Sequence, residues 1–421
     1  MKITTRIAPS PTGSLHIGTL GMALCNQMLA RQSGGNFYLR IEDTDQKREV
    51  EGEREKYIQQ FANCGISFDA IYIQSERTEY YQKQAQKLIS EGKAYKCYCT
   101  EQELEEIRKN HRGYNNKCRN AGEQNKRYVI RANFSQFTEP VKWLDLVKGD
   151  MQLPAETIDP VIMKSNGIPP YNLAHVVDDT LMNITHVLRG EEWLVSTAQH
   201  IQLFELCGFK PPNYLHMPVI CVEENGKKRK LSKRKDSHAL VENLINDGYP
   251  LDALKEYLLT LYNGDFELWR IANPDKPHTE FKFTTEKIGS NNPLFDWDKL
   301  NNISKNIIAK MPESELQQHI KDRRVIKLMK GRKDIYKFSQ VPETYSYLYN
   351  NEGIPNDNAR KYAEIYNHSD EKDVWWAKLK NSGIHPMDIR RAVTGREQTP
   401  DLYTILQLLG EQEVLKRLKK S

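Results

Sequence analysis

The stretch RIAPSPTGSLHIGTLG, Arg6 to Gly21, joins two runs that fold in different ways. Before it, Ile3 to Ala8 reads as a short apolar strand. After it, Ile17 to Arg31 places Leu20, Leu24, Met28 and Leu29 at helical spacing and stops at Gly34-Gly35. NFYLRIE, Asn36 to Glu42, is the next strand. Strand, glycine-bearing loop, helix, strand is a βαβ unit, which commits this part of the chain to a doubly wound α/β domain. A helix starting near Ile17 has unpaired N–H groups at its positive end, which suits a phosphate. His16 at that rim can donate to phosphate oxygens, and Gly18 lets a nucleotide approach the helix. A tight turn containing a histidine has the same local signature, so this stretch alone leaves both readings open.

The 421 residues exceed one compact core, so two to four domains are expected. A helix ends near Gly65, and another runs from about Ser75 to Glu91. After Tyr95 the character changes: Thr100-x-x-Glu103 is a capping box, and strand-like pieces alternate with Gly, Asn and Pro, marking 84–169 as an insertion of mixed structure. From Pro169 the α/β pattern returns. Two helices follow Asp236, the second started by Pro250. Beyond Pro312 the pattern is almost wholly helical, with loops at Asn351-Glu352-Gly353 and Gly395.

Hydrophobic residues make up 38% and charged residues 28%, and no apolar run approaches a membrane span. With no leader-like apolar core at the start, a cytoplasmic protein without membrane contact is expected. Seven cysteines argue against a disulfide framework. The net charge is +5, with basic clusters at Lys227–Lys235, Lys321–Lys333 and Lys416–Lys420. Each reads as a solvated face or as part of a polyanion-binding surface.

KRKLSKRKDS, Lys228 to Ser237, puts Lys230 and Lys233 beside Ser232, where mobile ammonium groups could neutralise a triphosphate. Alone it is a basic loop. Together, PSPTGSLHIG and KLSKR resemble the HIGH and KMSKS signatures of class I aminoacyl-tRNA synthetases. RIAPSPTGSLHIG, RIEDTD (Arg40 to Asp45), VVDD (Val176 to Asp179), LRGEEWLVST (Leu188 to Thr197) and KLSKR resemble, more specifically, the bacterial type of glutamyl-tRNA synthetase. LFDWDKL (Leu294 to Leu300) and RRAVTGREQTPDLYTILQLLG (Arg390 to Gly410) are similar to that family's later segments. The motifs stand in family order along nearly the whole chain.

The resemblance implies an α/β class I synthetase fold. A Rossmann-type catalytic domain would occupy 1–83 and 170–247, with an inserted acceptor-end-binding domain at 84–169. A stem-contact domain at 248–311 and a helical anticodon-binding domain at 312–421 would follow. The implied reaction joins L-glutamate to ATP with Mg²⁺, then transfers the glutamyl group to the terminal adenosine of tRNA(Glu), with tRNA(Gln) as a second acceptor to test. A relative that activates glutamate for tRNA base modification is the alternative, but such proteins lack the helical tail. A monomer is expected.

By the same resemblance, His16, Lys230 and Lys233 would be catalytic. Pro9, Ser10, Thr12, His16, Gly18, Glu192 and Lys233 would contact ATP. Arg6, Ala8, Ser10, Glu42, Tyr171, His175 and Arg189 would contact glutamate, with Trp193 on the pocket wall. Arginine suits the acidic substrate because a planar guanidinium can grip a carboxylate with two hydrogen bonds. Glu42 would meet the substrate's ammonium group. His175 stands where relatives often carry asparagine, and either a substrate bond or simple packing would suit it. Cys97, Cys99 and Cys118 resemble a zinc-binding segment, but the usual fourth-ligand position holds Asn120, a poor zinc ligand, leaving His111 as a substitute. The tail is shorter than the family's usual form between about Tyr362 and Pro386. Tyr345, Tyr347, Tyr349, Trp375 and Trp376 are its candidates for stacking on RNA bases.

Overall fold

The computed structural model describes residues 2–11, 13–44, 52–111, 113–232 and 234–420. Thr12, Lys233 and the last residue of RIEDTD therefore lie outside the described residues. Two compact units are present: Met1–Asn243 with Leu258–Phe295, and Leu244–Tyr257 with Asp296–Ser421.

In the first unit, strand Thr5–Ile7 pairs in parallel with Phe37–Ile41, which pairs in parallel with Ala70–Ile73. Helix Ile17–Gln32 connects the first two strands and buries Leu20, Leu24, Met28 and Leu29, the four residues the spacing had singled out. On the other side of Thr5–Ile7, the Thr185 and His186 N–H groups both donate to the Thr4 carbonyl, at 3.0 and 3.2 Å. This sets strand His186–Gly190 beside the first strand. Asn213–Met217 then runs parallel to it, and Val141–Asp145 adds on in parallel. The strand order thus reverses between Thr5–Ile7 and His186–Gly190. In open parallel sheets, the crevice at the carboxyl ends of the strands at such a reversal is where ligands bind.

Strand Val141–Asp145 lies within 84–169 but is hydrogen-bonded into this sheet, and it also pairs antiparallel with Gly149–Leu153. Its alternating exposure, with Lys142 and Leu144 facing solvent, gives it the look of a hairpin strand rather than a buried parallel one. The rest of the segment builds its own antiparallel sheet from Ala94–Cys97, Val129–Ala132 and Val161–Met163. Helix Glu101–Asn110 opens with the capping box expected at Thr100 and Glu103.

The second unit is helical, and residues such as Val325, Tyr362, Ile389, Leu406 and Val414 share one core. Tyr345, Tyr347 and Trp375 are part of that core, whereas Tyr349 and Trp376 are exposed. Arg417, from the basic C-terminal run, is buried and donates to the carbonyls of Tyr347 and Val393 at 2.6 and 2.8 Å. Among the described residues, no helix is long and apolar enough to cross a membrane.

Candidate active site

A cleft of about 320 Å³ opens at the strand-order reversal. Arg6, Ala8, Pro9 and Ser10 enter it from the end of the first strand, and Glu42 from the end of Phe37–Ile41. The Pro9 carbonyl accepts from the Glu42 N–H at 3.0 Å, fastening these two strand ends together. Arg189 and Gly190 come from the strand across the reversal. His16 and Gly18 line the cleft from the helix start, and of the other residues expected there Tyr171, Glu192, Trp193 and Lys230 line it too.

At the helix start, His16 is the N-cap, and its Nδ1 accepts from the Gly18 N–H at 3.2 Å. The ring proton is then on Nε2, making that atom a donor. No acidic side chain occupies the first turn, so the helix does not neutralise its own positive end. Among the described residues, a Cβ at Gly18 would meet only the His16 ring, with Nδ1 at 3.4 Å. At Gly21 a Cβ would sit 2.5 Å from Tyr262 Cε2, so glycine here lets Tyr262 form part of the cleft wall.

The two arginines are held differently. Arg6 Nε donates to Asp179 Oδ1 at 3.2 Å, and the same oxygen accepts from Arg40 Nη1 at 2.5 Å. Arg40, fully buried, also bonds Glu42 Oε1 from Nη2 at 3.0 Å. The two arginines hold the Asp179 carboxyl below its ordinary range against the opposing effect of burial. Burial pushes the Glu42 carboxyl up despite Arg40, so an ammonium group arriving in the cleft would relieve it.

Arg189 has no carboxylate partner among the described residues. Its Nε donates to His216 Nε2 at 3.0 Å, Nη1 meets His200 Nδ1 at 3.2 Å, and Nη2 donates to Thr197 Oγ1 at 2.7 Å and the Trp193 carbonyl at 3.3 Å. All of these acceptors are uncharged. A buried cation held this way is poised for an anion.

His175 does not line the cleft. It is fully buried, its ring 5.5 Å from Tyr171 and 4.5 Å from His200. Burial, with Arg189, Arg6 and Arg40 nearby, pushes its pKa well below the ordinary histidine value, so the ring is neutral. Of the two readings left open by the sequence, packing matches this placement. Tyr171 lies 4.7 Å from Trp193, forming an aromatic wall.

Lys230 ends a hairpin, Cys221–Glu224 with Lys227–Lys230, turned by Asn225-Gly226 at positive φ. Its ammonium pairs with Glu192 across the cleft mouth. The loop beyond is tied down at its base. Asp236 accepts from Arg229 Nη1 and Nη2 at 2.7 and 2.9 Å and from the Ser232 N–H at 2.8 Å. These bonds, that from Arg229 foremost, hold the Asp236 carboxyl down at about 2.

The Cys97, Cys99 and Cys118 sulfurs lie within 4.8 Å of one another; among the described residues His111 is not in this group. The Tyr114 hydroxyl lies beside them, 3.4 Å from Cys97 Sγ and accepting from the Cys118 N–H at 2.9 Å. Three thiols and a phenolic oxygen fit a four-coordinate zinc site.

Sequence reasoning assigned no role to Arg40 or Asp179, though both stand in quoted motifs, and it did not single out Asp145, His200, His216 or Tyr262. Asp179 carried a signal: with Tyr171 and His175 it recurs at helical spacing on one face of helix Tyr171–Leu181. The others are single residues contributed by separate elements.

Residues 2–302 match the family of class I tRNA synthetases (E and Q), catalytic domain, and residues 378–421 match an anticodon binding domain. A glutamate–tRNA ligase of Acetivibrio thermocellus is 36% identical, covering 99% of this chain and 93% of the relative. One from Thermus thermophilus is 34% identical over 100% of this chain and 99% of the relative. The crystal structure of a glutamate tRNA ligase from Elizabethkingia meningosepticum, in complex with its amino acid, superposes with a TM-score of 0.84. That comparison covers 99% of this chain and 98% of the other at 23% identity, and supports the fold. The chain belongs to the glutamate–tRNA ligase family of class I tRNA synthetases.

Proposed function

We propose that this chain activates L-glutamate with MgATP and transfers the glutamyl group to tRNA(Glu). The observation that carries this reading is the buried Arg189 guanidinium, without a carboxylate partner among the described residues, in one cleft with Arg6, Glu42 and the His16 helix start. An amino acid with an acidic side chain supplies the anion, and Glu42 is placed to meet its ammonium group. A neutral amide would leave the guanidinium uncompensated, which supports selection against glutamine.

The glutamate α-carboxylate attacks the ATP α-phosphorus, forming glutamyl-adenylate as pyrophosphate leaves. A 2′-hydroxyl of the tRNA's terminal adenosine then displaces AMP. The chain positions the reactants and stabilises developing charge, so no side-chain nucleophile is needed. His16 Nε2 and the helix start face the phosphates, with Lys230 turning from Glu192 towards them; by resemblance Lys233 joins it. Mg²⁺ arrives on the triphosphate as part of the substrate. In the helical unit, exposed Trp376 and Tyr349 are suited to stacking on anticodon bases.

Cys97, Cys99, Cys118 and the Tyr114 hydroxyl would hold a structural zinc ion, measurable as about one equivalent per chain after dialysis and lost on Cys118→Ser. Charging of purified tRNA(Glu) and tRNA(Gln) transcripts with labelled glutamate and ATP tests the central proposal. Glutamylated tRNA(Glu) is expected. Charging of both would make the enzyme non-discriminating, and charging of neither would overturn the reading.

A further inference from the structure

Arg189 is oriented by a residue that no motif marks. We propose that His216, itself oriented by Asp145, is a positioning residue that holds Arg189 with its charge uncompensated and so sets the cleft's preference for a carboxylate over a carboxamide. This rests on the reading of the cleft as a glutamate site.

The hydrogen-bond directions fix the arrangement. Arg189 Nε can only donate, so His216 Nε2 at 3.0 Å accepts with its lone pair. The imidazole proton is then on Nδ1 and donates to Asp145 Oδ2 at 2.5 Å. Asp145 Oδ1 in turn accepts from the N–H groups of Val147, Lys148 and His216, at 3.0, 2.9 and 3.3 Å. The carboxylate is therefore locked, the ring is locked to it, and the guanidinium is locked to the ring.

Four of the five Arg189 N–H groups meet uncharged acceptors, leaving one on Nη1 for a ligand among the described residues. A carboxylate set directly on Nε would fix the same direction but cancel the charge, as Asp179 does for Arg6. The neutral imidazole separates direction from charge: Asp145 stands one ring away, and the guanidinium's own contacts stay neutral. A ligand carboxylate then meets a full positive charge, whereas a carboxamide leaves it buried and unanswered.

Asp145→Asn and His216→Leu break this device in different ways. With Oδ1 kept by the three backbone N–H groups, the asparagine amide faces His216 Nδ1 and drives the imidazole proton onto Nε2, donor against donor with Arg189. His216→Leu removes the acceptor altogether, while His216→Gln can return one to Arg189. The assay is glutamate-dependent ATP–pyrophosphate exchange in the presence of tRNA(Glu), with the KM for glutamate and ATP measured separately and glutamine as competitor.

Asp145→Asn and His216→Leu are expected to raise the glutamate KM roughly tenfold and to lower glutamate-over-glutamine preference by a similar factor, the worth of one hydrogen bond to a charged group. The ATP KM should stay within about twofold, and His216→Gln should recover most of the loss. A glutamate KM within twofold of wild type in both damaging variants would overturn the proposal, as would a parallel rise in the ATP KM. Should the leucine variant fail to fold, the near-isosteric Asp145→Asn decides. Wild-type protein that activates no glutamate would instead overturn the reading of the cleft.

Discussion

Arg6 and Arg189 bring the same charge to one cleft, but a carboxylate holds the first and neutral histidines hold the second. This choice of partners has a consequence for acid stability. Burial pushes His175, His200 and His216 below the ordinary value of 6.5, with Arg189 adding to the effect in all three and Asp145 opposing it at His216. The unfolded chain therefore binds more protons than the folded one once pH drops below 6.5, and stability is lost as pH falls from there toward the folded values. Urea-unfolding midpoints should fall from pH 7.5 to 5.5, and a midpoint that is flat or rises on acidification would contradict neutral rings. At this scale the lining of the cleft was legible for residues such as Arg6, Ser10, Glu42, Tyr171, Arg189 and Lys230, which the family resemblance singles out. The braces behind those residues were not. His216 and Asp145 are 71 positions apart on separate strands, and only the parallel pairing of those strands makes them partners.

Among the elements, helix Ile17–Gln32 was readable to within a residue because its ends are chemically marked, by His16 at the start and Gly34-Gly35 beyond the stop. What the helix packs against was not marked. Gly21, inside its first turns, is a poor helix former by propensity, and it is tolerated because Leu258 and Tyr262 approach the backbone there. A Cβ would lie 2.5 Å from Tyr262 and 2.9 Å from Leu258, so Gly21→Ala must displace a ring that lines the cleft. The variant should lose about 1–3 kcal/mol of stability through overpacking, outweighing the gain in helix propensity. It should also weaken substrate binding at the helix start, while Arg189 is left in place. Thermal melts and the ratio of ATP KM to glutamate KM check both halves. A melting point at or above wild type would show that the wall yields without cost.

For the molecule as a whole, motif order pointed to a catalytic domain split by an insertion and followed by two further domains, and packing gathers the residues into two compact units. Leu258–Phe295 belongs with the catalytic sheet, whereas Leu244–Tyr257 belongs with the helical unit. Short-range pattern could not show this, because the bonds responsible join distant residues. The Tyr249 hydroxyl meets Asn301 Oδ1 at 2.6 Å, the Asp296 N–H donates to the Tyr257 hydroxyl at 2.6 Å, and the Phe338 N–H donates to the Gly248 carbonyl at 2.9 Å. Lys337 Nζ reaches Asp247 at 2.8 Å. A chain cut after Phe295 would therefore keep the whole sheet and cleft but strand 244–257 without the residues that bind it. Tyr249 and Tyr257, buried in the full chain, would lose these partners, and exposed apolar surface of that kind promotes association. The fragment 1–295 is expected to elute as aggregate in size-exclusion chromatography and to bind a hydrophobic dye, where the full chain does neither. A monodisperse fragment that binds no dye would mean that the helical unit does not need to shelter 244–257.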